Sequence, residues 1–217
     1  MSHHNHPIFA RCYARTSGLM ERGLAEYRRT LLRDLSGRAI EVGAGNGMNF
    51  AYYPSTVTQV IAVEPEPHLR RIAEQNAASA TTPITVIDGL AAALPTEDNS
   101  CDAAVASLVL CSVPDPDLAL AEMFRVVKPG GHLRFLEHVR SPRPLRQRAQ
   151  KALDATVFPF LAGGCHCGRD TTTAIERAGF VIQQIDRLST ADTGLPFPVS
   201  PQILGTAARP PIPADLG

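Results

Sequence analysis

Acids, glycines and a scatter of sulfur and imidazole are the residues in this chain whose types and spacing could do chemistry. Glu41, Glu64 and Asp88 stand at the carboxyl ends of short apolar runs, and Gly43, Gly45 and Gly47 alternate after the first of them. Glycine is needed where a chain turns with positive φ or lies against a ligand with no Cβ between them. A loop of this kind, with Ala44 inside it, suits a nucleoside-bearing cofactor. In the dinucleotide fingerprint the third glycine falls at the sixth position. Here that position is Met48, so the pattern fails. Glu64, followed by Pro65, lies at the offset of about 20 residues where a carboxylate accepts both vicinal hydroxyls of a ribose.

The elements that must position these residues alternate. Strand patterns fall at 38–42, 59–63, 84–87, 103–110 and 133–139, with two more at 180–185 and 201–207. Segment 103–110 is continuously apolar, as a strand buried on both faces of a parallel sheet requires. Helical spacing runs through 8–35, where Gly18 predicts a split into two helices and Gly37 the close of the second. Further helices are predicted from the glycine loop to Tyr53, from the second strand to Ala80, and over 117–127, 145–158 and 171–178. Lys128-Pro129-Gly130-Gly131 reads as a tight turn into the fifth strand. The alternation argues for α/β architecture with a parallel sheet. We expect a tail and capping helices over 1–35, one domain over 36–207, and a disordered end over 208–217.

At 217 residues, with no net charge and 44% hydrophobic residues, the chain can bury one good core. Equal acidic and basic counts argue against a nucleic-acid partner. No apolar run reaches the ~18–20 residues needed to span a bilayer. Met1 to Pro7 is polar, includes His3, His4 and His6, and lacks a signal peptide's apolar core, so a frayed tail is expected. Five cysteines, an odd number, fit a reducing compartment, and a cytoplasmic location is expected.

Together, Glu41-x-Gly43-x-Gly45-x-Gly47, Glu64, Asp88-Gly89-Leu90 and the Lys128-Pro129-Gly130-Gly131 turn resemble the class I S-adenosylmethionine-dependent methyltransferases over roughly residues 38–139. The resemblance implies a single-domain Rossmann-like fold, a mostly parallel seven-stranded sheet with helices on both faces, and S-adenosyl-L-methionine as cofactor. It implies that Glu41, Gly43, Ala44, Gly45 and Gly47 hold the methionine end, whose ammonium and sulfonium suit an anion. It places Glu64 and Pro65 at the ribose, Asp88, Gly89 and Leu90 at the adenine, and Ser107 and Cys111 beside the methyl group. Leu110-Cys111-Ser112-Val113, Phe135-Leu136-Glu137-His138-Val139 and Gly164-Cys165-His166-Cys167-Gly168-Arg169 resemble a narrower group. This is the methyltransferase-like 7 group, membrane-associated alkyl thiol methyltransferases. Cys167 has no counterpart in that pattern, and the group's hydrophobic N-terminal anchor is not expected here.

Methyl transfer is an in-line displacement, to which a protein contributes proximity, alignment and a dry site. A thiol acceptor must ionise, and His138 is the best-placed base, with Glu137 expected to orient it. Cys165-His166-Cys167 spaces its thiols one residue apart rather than two to four and shows no partner pair, so no metal is expected. A loop over the substrate is the sharper reading. Arg140, Arg143, Arg146, Arg148 and Lys151 read as a solvated helix face, with peripheral membrane contact as the alternative. The expected partner is a small-molecule methyl acceptor, with a thiol first and a quinone or phenolic carbon or oxygen next. A non-catalytic cofactor-binding partner is the rival. A nicotinamide-dependent reductase is disfavoured by the glycine spacing and by the absence of a Tyr-x-x-x-Lys pair. Oligomeric state is left open.

Overall fold

The protein is described by a computed structural model covering residues 7–212. The chain opens with helix α1 (Pro7–Leu32) and then enters β1 (Gly37–Val42), β2 (Val57–Val63), α2 (Pro67–Ala77), β3 (Ile84–Ile87) and β4 (Cys101–Ser107). Next come α3 (Pro116–Val126), β5 (Val127–His138), α4 (Pro144–Asp154), α5 (Phe158–Leu161) and α6 (Thr171–Arg177). β6 (Val181–Leu188), α7 (Thr190–Thr193) and β7 (Gln202–Ala208) complete it. The sheet is seven-stranded in the order β3-β2-β1-β4-β5-β7-β6. β7 enters antiparallel between β5 and β6, and the pairs among β1 to β5 are parallel.

Strand side chains alternate between two faces, and each face has its own cover. Ile40, Val42, Ile61, Val63, Ala104 and Ala106 pack with Leu120 and Met123 of α3 and Ile175 of α6. Ala39, Val60, Ala62, Ala103, Val105 and Leu136 pack with Leu31 and Leu32 of α1 and Ala73 of α2. Leu120 and Met123 are wholly buried, each contributing about 2 kcal/mol by removal from water. Helix starts follow local chemistry. The Glu66 carboxylate caps α2 by accepting from the Leu69 N–H, and Asp115 caps α3 by accepting from Asp117 and Leu118, each with proline at the first helical position.

The strand order reverses between β1 and β4, which opens the crevice where α/β sheets bind ligands.

Several expectations shift. α1 is one continuous helix, so Gly18 does not split it; a glycine costs about 1 kcal/mol in a helix interior, which tertiary packing of Leu24, Leu31 and Leu32 outweighs. After the glycine loop there is no full helix, only turns and one 3-10 turn at Phe50–Tyr52, because Tyr53 precedes Pro54 and is extended. β4 stops at Ser107, three residues early, since Leu108 adopts φ 59. Lys128-Pro129-Gly130-Gly131 lies inside β5, where the Gly130 N–H donates to the Arg209 carbonyl and the Arg209 N–H to the Gly131 carbonyl. The helix expected over 145–158 divides into α4 and α5, and α7 was not foreseen. The N-terminal histidines and Pro213 lie outside the described residues.

Candidate active site

The three glycines do different work. A Cβ on Gly43 would fall 2.3 Å from Val109 Cγ2, and one on Gly47 would fall 2.6 Å from the Phe50 ring. Those two positions let the loop close on the protein itself. Among the described residues a Cβ on Gly45 would meet only Tyr13, at 3.7 Å, and Gly45 holds φ +58. Its outer side is the cradle that a Cβ would fill, which fits a ligand pressed against bare backbone. The loop is tied to β2 by the Gly43 and Ala44 N–H groups, both donating to the Val63 carbonyl, at 2.9 and 3.1 Å.

Glu41 lies beneath this loop, 2% exposed. One carboxylate oxygen accepts from Asn49 Nδ2 at 2.8 Å and the other from the Tyr53 hydroxyl at 2.8 Å. Burial pushes its pKa up to about 7, against the opposing pull of those hydrogen bonds and of Arg28. Both oxygens are therefore used inside the protein, and the charge expected to meet a ligand's ammonium sits behind the loop. Arg28 reaches in from α1, donating to Asn49 Oδ1 at 2.7 Å and to Ser107 Oγ at 3.1 Å. It stitches helix, glycine loop and the end of β4 together.

Glu64, at the tip of β2, accepts from the Gly45 N–H at 2.7 Å and from the Glu66 N–H at 2.9 Å. Burial raises its pKa as well. Asp88, after β3, is the exposed member, its carboxylate 71% open and 3.0 Å from Arg70 Nη1. Arg70 also donates to the carbonyls of Glu64 and Pro65, so it fixes the ends of β2 and β3 relative to one another. Gly89 admits Val63 and Pro95, which a Cβ would meet at 2.9 and 3.0 Å, and Leu90 stands half-exposed beside it. Glu41, Glu64 and Asp88 thus gather with the glycine loop along one edge of the sheet.

A second cluster forms beyond β4. The Glu137 carboxylate accepts from the N–H groups of Val109 and Leu110 at 2.9 Å each, and of Cys111 at 3.2 Å. Those bonds curl the chain out of β4 at Leu108. Glu137 therefore does not orient His138: consecutive strand residues face opposite sides of the sheet, and Glu137 points to the α3 face. Burial raises its pKa well above the usual carboxylate range. His138 faces the other way, 7% exposed, with Nδ1 3.5 Å from Cys111 Sγ and 3.3 Å from Cys165 Sγ. Its Nε2 is buried with no hydrogen-bond partner among the described residues. The Cys111 thiol is held well below its ordinary pKa, first by its hydrogen bond with Cys165 and then by His138; Cys165 is raised in return.

The loop carrying Cys165, His166 and Cys167 lies on this turn. The His166 N–H donates to the Cys111 carbonyl at 2.8 Å, and Arg169 donates to the carbonyls of Leu110 and Val113 at 2.6 and 2.7 Å. Asp154 accepts from the Cys167 and Gly168 N–H groups, and buried Gln150 donates to the carbonyls of Val139, Cys167 and Pro198. Sequence reasoning missed Arg28, Asn49, Tyr53, Gln150 and Arg169. Arg28 had a signal, a charge within the apolar stripe of Leu24, Tyr27, Leu31 and Leu32. Gln150 had none.

The geometry agrees with the comparisons. Residues 40–135 match the family described as Methyltransferase domain. Thiol S-methyltransferase TMT1B of Mus musculus is 34% identical over 188 residues, covering 82% of this chain and 75% of that protein. Its Homo sapiens namesake is 31% identical over 179 residues, covering 78% and 70%. Among solved structures, a SAM-dependent methyltransferase of Thermotoga maritima superposes with TM-score 0.69 at 23% identity, covering 93% of this chain and 96% of that one. That last likeness bears on the fold.

Proposed function

The chain belongs to the class I S-adenosylmethionine-dependent methyltransferases, in the family of the thiol S-methyltransferases, and from that premise we propose that its acceptor is a small apolar thiol. It is an enzyme that uses S-adenosyl-L-methionine to methylate a small molecule. The cofactor, when bound, supplies an electrophilic methyl carbon that an acceptor's lone pair takes in line, the carbon's former bonding pair staying on the cofactor's sulfur as a neutral thioether.

The rest falls to the chain's own residues. Gly45 and Ala44 offer bare backbone to the cofactor, with Gly43 and Gly47 shaping the loop around them. Glu41 holds Asn49 and Tyr53 beneath the loop and places negative charge behind its cationic end. Glu64 keeps the loop closed through Gly45 and presents its remaining lone pairs to the ribose, with Pro65 ending the strand. Asp88 receives the adenine amino group, and Gly89 and Leu90 flank the ring. Ser107 and Cys111 border the methyl group. His138 is the base that takes the acceptor's proton.

One observation carries the thiol reading: an imidazole nitrogen at the end of β5 stands within 3.5 Å of two buried sulfurs, one in the turn after β4 and one in the loop after α5. An acceptor thiol entering there would meet an imidazole able to take its proton. Five free cysteines, four of them buried, support a reducing compartment such as the cytoplasm, and zero net charge supports a partner other than nucleic acid. No described helix is long and apolar enough to cross a membrane. Exposed Leu145, Val157, Phe160 and Leu161 beside Arg143, Arg146 and Lys151 support contact with an anionic membrane surface; equal sedimentation with and without anionic vesicles would remove that reading.

The test of function is calorimetric binding of S-adenosylmethionine followed by S-adenosylhomocysteine release with hexanethiol. Binding with thiol-dependent turnover is expected. Binding with turnover only on quinones or phenols would replace the acceptor, and binding with no turnover on any nucleophile would favour a non-catalytic partner protein.

A further inference from the structure

The sulfur and imidazole cluster has the dimensions of a metal site. Cys111, His138 and Cys165 present ligand atoms that all lie within 4.8 Å of one another, and all three residues are buried. Around a tetrahedral zinc, bond lengths of about 2.3 Å to sulfur and about 2.0–2.1 Å to nitrogen set a sulfur–nitrogen edge near 3.5 Å. The two edges here measure 3.5 and 3.3 Å. We infer that Cys111, His138 and Cys165 bind one Zn2+ ion through two thiolates and the imidazole Nδ1, leaving the fourth position to the acceptor's thiolate.

The backbone around each ligand is fixed independently of any ion. Glu137 accepts the Cys111 N–H, the Cys111 carbonyl accepts from His166, and β5 carries His138 in register against Gln202 of β7. Asp154 and Gln150 anchor the loop just after Cys165. A preformed set of this kind needs little reorganisation to take a cation. Charge agrees: two thiolates and a neutral imidazole balance a divalent ion, so a buried site ends neutral. Three protein ligands with an open fourth position is the arrangement of catalytic rather than structural zinc. Cys167 Sγ lies 3.7 Å from Cys165 Sγ but outside the mutually close set.

The site also lies where an acceptor must be. Val109 fills the space left by the missing Cβ of Gly43, and Cys111 follows two residues later in the same turn, the one proposed to border the methyl group. A thiol bound to the ion is deprotonated outright, releasing its proton to water and keeping a lone pair for the new sulfur–carbon bond. The product is a neutral thioether, a poor zinc ligand, and departs. In this state His138 is a ligand, and the ion does what a free imidazole base would do. Only the occupant of the fourth position rests on the thiol reading; zinc uptake stands apart from it.

The experiment uses the full chain, kept in a phosphine reductant, loaded with Zn2+ or Co2+ and dialysed. We expect one metal per chain, and in the cobalt form sulfur-to-metal charge-transfer absorption with the visible bands of a tetrahedral site. Hexanethiol should raise the charge-transfer absorption by about half, as two thiolates become three. Cys111→Ser and His138→Ala should weaken zinc binding at least about a hundredfold, and His138→Cys should restore it. Substoichiometric metal, or cobalt spectra without sulfur charge transfer, as binding by His3, His4 and His6 would give, overturns the site. An unchanged spectrum on adding hexanethiol, with a loss of about a third in Cys167→Ser, overturns the open position in favour of a closed Cys3His site. S-adenosylhomocysteine formation from S-adenosylmethionine by metal-free protein with hexanethiol as acceptor would overturn the ion's role while the thiol reading stood.

Discussion

The two ends of the crevice are built by opposite means. At the glycine loop, residues close in sequence do nearly everything: Glu41, Gly43, Gly45, Asn49 and Tyr53 fall within thirteen positions, and backbone groups supply the surface. At the sulfur end, Cys111, His138 and Cys165 come from three separate segments, each 27 residues from the next, and side chains supply the chemistry. The first end is a conformation the local sequence imposes. The second is an assembly that exists only once β4, β5 and the loop after α5 have packed. The difference predicts that damage to each end will have a different signature.

The largest effect belongs to the assembly. Replacing Glu137 by Ala leaves three buried N–H groups, those of Val109, Leu110 and Cys111, without their acceptor. Each such loss costs about 1–3 kcal/mol, so a destabilisation of about 4 kcal/mol is expected in denaturant unfolding. Cofactor affinity of the folded fraction should change little. Wild-type stability in this variant would mean that the turn after β4 is not held by the carboxyl group.

Glu41 tests the loop end through pH. Its folded pKa of about 7 lies above the ordinary carboxylate value of 4.5, so between those values the native state holds more protons than the unfolded one. Its contribution is full below the lower value and is lost as pH rises through the upper one, by about 3 kcal/mol in all. The groups around it are Arg28, Tyr53 and Glu64. Glu41→Gln should flatten the fall in stability between pH 5 and pH 8, and should also remove a rise in cofactor affinity over that range, since the ionised form is the one that favours a cation. An equal slope in both proteins would place the titration elsewhere.

Legibility in the sequence followed the same division. The glycine loop, the acids at the strand ends and the order of strands and helices rest on local spacing, and β3 falls at the expected residues. The helix expected after the loop failed because the preference imposed by Pro54 on Tyr53 won over helical spacing. Glu137 departs from its expected role because alternation along the strand sends it away from His138, to the N–H groups of the turn after β4. The spacing of the thiols at 165 and 167 speaks only for that loop, and no spacing rule reaches across to Cys111 and His138. Gln150 is held by its amide nitrogen, whose two hydrogens face three carbonyls, and by its oxygen, which accepts from the Ser141 N–H, and no short pattern encodes those partners.

Gly45→Leu should lower cofactor affinity by about a hundredfold, equal to about 2.7 kcal/mol, because its side chain would project into the cradle, where a Cβ meets only Tyr13 among the described residues. Strain at φ +58 should cost about 1–2 kcal/mol of stability. Gly43→Leu, by contrast, collides with Val109 and should lose stability by more than Gly45→Leu does. If both variants lost affinity and stability alike, the distinction between the cradle and the inward-facing glycines would be wrong.

The smallest effect separates binding from folding at one residue. Asp88 is mostly open to water and its pair with Arg70 is correspondingly weak for stability, worth about 0–1 kcal/mol. Arg70 keeps its bonds to the carbonyls of Glu64 and Pro65 when Asp88 is removed, so the strand ends stay in place. Asp88→Ala should therefore leave the unfolding midpoint almost unchanged while weakening cofactor binding by about tenfold, the loss of one charge-assisted hydrogen bond to the adenine amino group. A homologous ligand lacking that amino group should bind wild type and variant equally. Should the variant lose stability instead and keep its affinity, Asp88 would be a strut for Arg70, and the loop end of the crevice would owe its grip to backbone alone.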